Sequence, residues 1–370
     1  MRNVWLISVA FFFVFGGFGT AQQYLVVLFK NAGQGDLALI SLFILYGTFL
    51  LTGIFITKFV PILGGLKRSL IIGACTYALF TAAVALGNTP LLLIASALIG
   101  FGGGLLWVCS GQIISDSSDN RTAGRNFGFQ IVGQNAGNIA GIYGGGYLVQ
   151  SVPMPLMFSI LALVVLCGII LLPFIRPTNE EVQEKVFKPL FAFDKRMLVL
   201  FPLLFGAYFL GGQAFVGMSF VVLAFLGIGA IPLMVAIFKI GSIAGSFSIG
   251  TISDRLAKNT TLASIVLVAL AGVALFTMTS TLVPLLAGAI IIGFTFAAVY
   301  PVVLAWLKER LDPQEYLQAL GIFHVYTNIG VVSALIANMY LSPRAGFVPG
   351  AIALVIALPG IFLFHRLTRR

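Results

Sequence analysis

The sequence predicts an all-α membrane protein of twelve transmembrane helices, and three observations carry that prediction. Hydrophobic residues make up 59% of the 370 and charged residues only 9%, with a mean hydropathy of +1.08. A soluble chain of this length would have too few charges to cover its surface. Apolar runs recur on the scale of about 20 residues needed to cross ~30 Å of hydrocarbon. The cations segregate by loop: with the N-terminus placed inside, 18 of the 21 Lys and Arg fall on one side, against Lys30 and Arg344 on the other and Lys239 within a span.

Span one covers 4–29 and is not followed by a small-residue cleavage site, so it reads as a retained span; it carries Gln22, Gln23 and Tyr24. Span two (37–59) holds Tyr46, and the loop to span three (67–87) supplies Lys58, Lys67 and Arg68. Span four (90–116) contributes Trp107 and Gln112. Span five (124–149) follows Arg121 and Arg125 and places Gln130, Gln134 and Asn138 at i, i+4 and i+8. That spacing puts the three amides on one helix face, which reads as cavity wall. Span six (153–175) completes a first bundle, 1–175.

The longest polar stretch then forms a cytoplasmic linker over 176–194. The second bundle, 195–370, contains spans at 195–224 (with Tyr208 and Gln213), 228–252 (with Lys239), 260–279, 281–308, 313–340 (with His324 and Asn328) and 345–366. Backbone groups in lipid must be satisfied within the element, which makes these segments helices.

The net charge of +10 is topological, since the cation-rich loops mark the cytoplasmic face. The expectation is an integral protein of a prokaryotic inner or cell membrane, both termini cytoplasmic, with no nucleic-acid partner. Cys75, Cys109 and Cys167 fall inside spans and read as small apolar packers without metal or disulfide spacing. No phosphate-binding Gly-Lys loop, nucleophile elbow or paired internal carboxylates occur, so the chain reads as no enzyme and implies no cofactor or metal.

The halves match at an offset of 193 residues: Asp116 with Glu309, Asp119 with Asp312, Gly128 with Gly321, Asn135 with Asn328, Gly137 with Gly330. Parallel six-helix repeats are a transporter plan. GTISDRLAK (250–258) resembles the Gly-x-x-x-Asp-Arg loop signature of the major facilitator superfamily, through Gly250, Asp254 and Arg255. The first half is similar to the Unc-ninety-three-like branch in LALISLFILYGTFL (37–50), GGLKRSLIIGACTYALF (64–80), IGFGGGLLWVCSGQ (99–112) and GRNFGF (124–129). The resemblance implies two six-helix bundles in pseudo-twofold relation around a central site. It also implies an alternative role, since animal members of the branch include non-transporting partners that escort or regulate other membrane proteins. The first-half loop TKFVPILGGLKRS has no acid and departs from the superfamily signature. Span five resembles the antiporter motif through Gly128, Gly137, Gly141, Gly145 and Gly146, with Ile142 in place of its proline.

Lys239 is the central candidate. A lysine at a helix centre costs roughly 2.5–3.5 kcal/mol on insertion scales and faces a cavity or a partner. It reads as a ligand for an anionic group of the solute, as a proton-coupling residue, or as a tie to carbonyls and amides across the bundle. All eleven acids lie in loops or at helix ends, so proton coupling falls to Lys239 or to His324. With Gln23, Tyr46, Trp107, Gln112, Gln130, Gln134, Asn138, Gln213 and Asn328, these two form the expected site. A wall of amides and aromatics with one cation suits a small polar or anionic organic solute, carried by a monomer in the lipid bilayer. A cytoplasmic gate is expected where Asp254 and Arg255 meet Arg125 and the start of span five, with Lys67 and Arg68 facing Glu309, Asp312 or Glu315.

Overall fold

The structure, a computed structural model, describes residues 1–31, 35–176, 194–226, 231–279, 281–342 and 344–368. Most of the linker expected at 176–194 therefore lies outside the described residues, as does the side chain of Gln23. Among the described residues twelve long helices follow one another. The first six are α1 (Arg2–Asn31), α2 (Gly35–Ile62), α3 (Leu66–Leu86), α4 (Thr89–Asp116), α5 (Ala123–Ser151) and α6 (Met154–Leu171). The second six are α7 (Phe201–Leu226), α8 (Ile231–Ser253), α9 (Lys258–Met278), α10 (Leu282–Arg310), α11 (Pro313–Tyr340) and α12 (Val348–Leu367). A single turn at Lys195–Leu198 precedes α7, capped by the Asp194 carboxylate on the Arg196 amide at 2.8 Å.

Ten stretches among the described residues are long and apolar enough to cross a membrane. The two helices outside that set are α5 and α7. In α5 the cause is chemical, because its amides and glycines lower the hydropathy of an otherwise sufficient length. The chain divides into two compact units, Met1–Ser117 with Gly133–Phe187, and Ser118–Val132 with Lys188–Arg370. The start of α5, from the first half of the sequence, thus packs with the second unit.

Glycines set the close approaches inside each unit. A Cβ on Gly137 would lie 2.0 Å from the Phe12 carbonyl oxygen, and one on Gly141 2.0 Å from that of Gly16. The ladder of α5 is therefore a surface on which α1 rests, as small residues in spans permit. In the second unit a Cβ on Gly241 or Gly245 of α8 would lie 2.3 or 2.0 Å from the carbonyl oxygen of Ile290 or Phe294 on α10. This fixes one face of α8 against α10 and leaves Lys239 on another.

Candidate functional site

Lys239 lies eight residues into α8, about 12 Å along the axis at ~1.5 Å per residue. It is buried, 2% exposed. Its Nζ stands 5.7 Å from the centre of the Phe238 ring, within cation–π range. Ser242 and Ser246 share its helix face by spacing and are fully buried. Their hydroxyls donate to the Phe238 and Ile243 carbonyls at 2.9 and 3.1 Å, which satisfies them within α8.

The other titratable candidate belongs to a second cluster of the same unit. Tyr300 on α10 donates its hydroxyl to Gln130 Oε1 on α5 at 3.1 Å. Its ring packs edge-on against Phe127 and Phe323, at 6.2 and 5.6 Å between centres. His324 on α11 sits 6.2 Å from the same ring and 5.1 Å from that of Phe323. The Asn328 amide donates back to the His324 carbonyl at 2.7 Å. A buried hydrogen bond joins α5 to α10, and ring contacts bring His324 and Phe323 of α11 against Tyr300, in an aromatic setting where a hydrogen bond is costly to leave unmade.

Two expected wall residues have structural partners. The Gln213 amide donates to the Ala334 carbonyl at 3.1 Å and ties α7 to α11. Gln112 donates to Asp116 Oδ1 at 3.0 Å, one turn further along α4 at its loop end. The expected stripe on α5 divides between the units: Gln130 belongs to the second, Gln134 and Asn138 to the first. Gln134 is half-buried. Asn138 is buried against Gly19, where a Cβ would come within 1.9 Å of its Oδ1. In the first unit Tyr46 is half-buried. Trp107 lies edge-on to Phe11 at 5.1 Å and tilted on Phe15 at 5.4 Å.

Sequence reasoning missed Tyr300, Ser242 and Ser246. The signal for Tyr300 was present: Trp107, displaced by the repeat offset of 193, falls on it. The serines carry no comparable signal, since a lone hydroxyl in a span is ordinarily satisfied by its own helix.

At the loop end of the second unit, the Asp254 carboxylate accepts from the backbone amides of Gly124 and Arg125 at 2.8 and 2.9 Å. These are the first amides of α5, which lack intrahelical partners. Burial pushes the Asp254 carboxyl above its ordinary range, while the two amides, Lys258 and Arg125 pull it down. Arg255 is exposed. The acids expected opposite Lys67 and Arg68 have partners in their own unit. Glu309 pairs with Lys258. Glu315 takes the Arg196 guanidinium in two bonds of 3.1 Å, a fork shared with Asp194. Asp312 precedes α11, its carbonyl accepting from the Glu315 and Tyr316 amides. Lys67 is half-buried in the first turn of α3, and Arg68 folds its guanidinium over Gly64.

The chain belongs to the Major Facilitator Superfamily, whose sequence profile matches residues 4–230 and 224–370. It is 27% identical over 146 residues to UNC93-like protein 3 of Arabidopsis thaliana, covering 40% of this chain and 29% of that protein. It is 29% identical over 139 residues to human protein unc-93 homolog A, covering 37% and 30%. These matches span under a third of either relative's length, and they agree with the branch that the sequence resembles.

Among solved structures, the Escherichia coli fucose:proton symporter FucP aligns over 100% of this chain and 99% of its own, with a TM-score of 0.73 at 16% identity. The human organic anion transporter MFSD10 aligns over 98% and 99%, with a TM-score of 0.72 at 14% identity. At such identities the likeness shows the fold alone. The fold is that of the superfamily's transporters, and the chain is an integral membrane protein of that class.

Proposed function

We propose that this chain is a secondary active transporter of a small polar or anionic organic solute, working by alternating access of the bundles 1–175 and 195–370. The observation that carries the reading is Lys239, a mid-span ammonium on a serine-bearing face of α8. A cation there is expensive. Because every acid of the sequence lies in a loop or at a helix end, the interior favours anionic or neutral groups over cations. Among proteins of similar fold, one is a fucose:proton symporter and another an organic anion transporter, which is compatible with that solute class. Proton coupling, in this reading, runs through Lys239 or His324. The burial of Lys239 means that its site opens only by a conformational change. The protein works as a monomer in a prokaryotic inner or cell membrane, with both termini cytoplasmic.

The test is thermal stabilisation of the purified protein against a panel of anions, sugars and amino acids, repeated with Lys239→Ala. The expected result is at least one stabilising solute whose effect disappears in the variant. A hit that survives the substitution unchanged removes Lys239 from the binding site.

A second reading is a non-transporting partner that escorts another membrane protein. The UNC93-like relatives favour it, as does the tight cluster of Phe11, Phe15, Phe18, Tyr77 and Trp107 in the first unit. An escort gives no hit in the solute panel and co-purifies with a membrane partner.

A further inference from the structure

A cleft of about 220 Å³ opens at the loop end of the second unit, lined among others by Arg255, Leu256, Lys258, Asn259, Arg310 and His365. At ~30 Å³ per water it holds roughly seven waters. It is smaller than the ~300 Å³ at which drug-sized ligand pockets begin, so it fits a compact polar group.

Its charges do not cancel. Of the two carboxylates that also line it, Asp254 accepts from the Gly124 and Arg125 amides and Glu309 pairs with Lys258. Among the described residues neither Arg255 nor Arg310 has a carboxylate partner. Arg310 reaches only the His365 ring, Nη2 to Nδ1 at 3.2 Å. A guanidinium has no acceptor atom, so in this hydrogen bond it donates and Nδ1 accepts. Three cations line the cleft against two carboxylates, a net charge of +1, and neither guanidinium is paired with a carboxylate; the amide of Asn259 lines it too.

Its position names the ligand class. Four span ends meet here: α8 ends at Ser253, α9 begins at Lys258, α10 ends at Arg310 and α12 ends at Leu367. This is the level of the lipid headgroups. Leu256 lines the cleft and is 58% exposed, and Leu363 and Leu367 on the last turns of α12 are also exposed. Apolar side chains beside cations at that depth match a molecule with acyl chains below and a phosphate above. Free phosphate would use the cations and leave the leucines without a role.

We propose that this cleft binds the phosphodiester headgroup of an acidic phospholipid, held by Arg255 and Arg310 with its chains along Leu256. The site is separate from the solute site and stands whether or not Lys239 binds a solute.

The experiment uses the full chain in detergent, titrated with phosphatidylglycerol, phosphatidylcholine or inorganic phosphate and read by thermal unfolding and native mass spectrometry. Phosphatidylglycerol should stabilise and remain bound, with the other two giving little. Arg310→Gln should weaken apparent affinity for phosphatidylglycerol by about fivefold, the scale of one basic residue at a membrane surface. Asn259→Asp places a negative charge in the cleft while favouring the start of α9; it should weaken binding without lowering basal stability, and it serves if Arg310→Gln fails to fold. Equal stabilisation by phosphatidylcholine, or by inorganic phosphate alone, overturns the assignment. So does phosphatidylglycerol binding that Asn259→Asp leaves unchanged.

Discussion

Gly137 meets the carbonyl of Phe12 in the first unit, and Gly330 meets that of Phe205 in the second; both members of the pair are displaced by the same 193 residues. The helix-on-helix contact is therefore duplicated along with the sequence. The same offset carries Tyr46 onto Lys239, Trp107 onto Tyr300 and Ile131 onto His324. So the scaffold is repeated while the titratable chemistry exists in one copy only. The loops differ likewise. In the first half, Gly64 and Gly65 take φ of 81° and 98° and close the turn with their amides on the Pro61 and Val60 carbonyls. In the second half, Asp254 closes its turn onto a separate segment, the start of α5. One loop is held by its own backbone and the other by a carboxylate. The second is the one that charge, pH or mutation can release.

The largest effect is expected from Asp254→Arg. It removes two hydrogen bonds to a charged acceptor, about 1.5–3 kcal/mol each, and sets a cation against the positive end of α5. Cysteine accessibility labelling at the loop end of the second half should shift strongly toward the open state. Unchanged labelling there would mean that the contact gates nothing, and that the two loops are equivalent despite their chemistry.

A smaller effect separates the duplicated contacts. Gly137→Ala places a Cβ 2.0 Å from a backbone oxygen and Gly330→Ala places one 2.6 Å away. Backbone cannot give way as a side chain can, so each should cost about 1–3 kcal/mol. Thermal unfolding should show the larger loss at Gly137. A loss confined to one of the two would show that the repeat is geometric without being energetic.

The spans were legible because hydropathy and length are local properties, and α10 or α11 needs nothing else to be recognised. The duplicated packing was half legible: the offset paired Gly137 with Gly330, yet which carbonyl each glycine faces is a matter of three dimensions. Lys239 stood out because charge is rare in a span, but its burial did not, since burial depends on neighbours that no periodicity reports. Gln213 and Gln112 read as cavity wall from composition, and each donates a hydrogen bond, to Ala334 and Asp116, that the sequence does not announce. An amide looks the same in sequence whether it waits for a solute or holds a helix. Tyr300 was within reach of the repeat offset, whereas the pairing of Glu309 with Lys258 was not, because charges at helix ends have many possible partners.

The smallest effect tests the carboxylate itself. Burial raises the pKa of Asp254 when it is docked on α5, whereas in an open state the group returns to its ordinary value near 3.9. Docking therefore takes up protons. By linkage the docked state gains from acid and loses that gain as pH rises through the raised pKa. The window begins just above about 4, the ordinary carboxylate value. Labelling at the loop end should increase as pH is raised across it, and Asp254→Asn should flatten the profile. The first-half loop has no acid and should show no such dependence. Labelling that instead increases as pH falls would mean that the amides of Gly124 and Arg125 hold the charged form more strongly than burial opposes it.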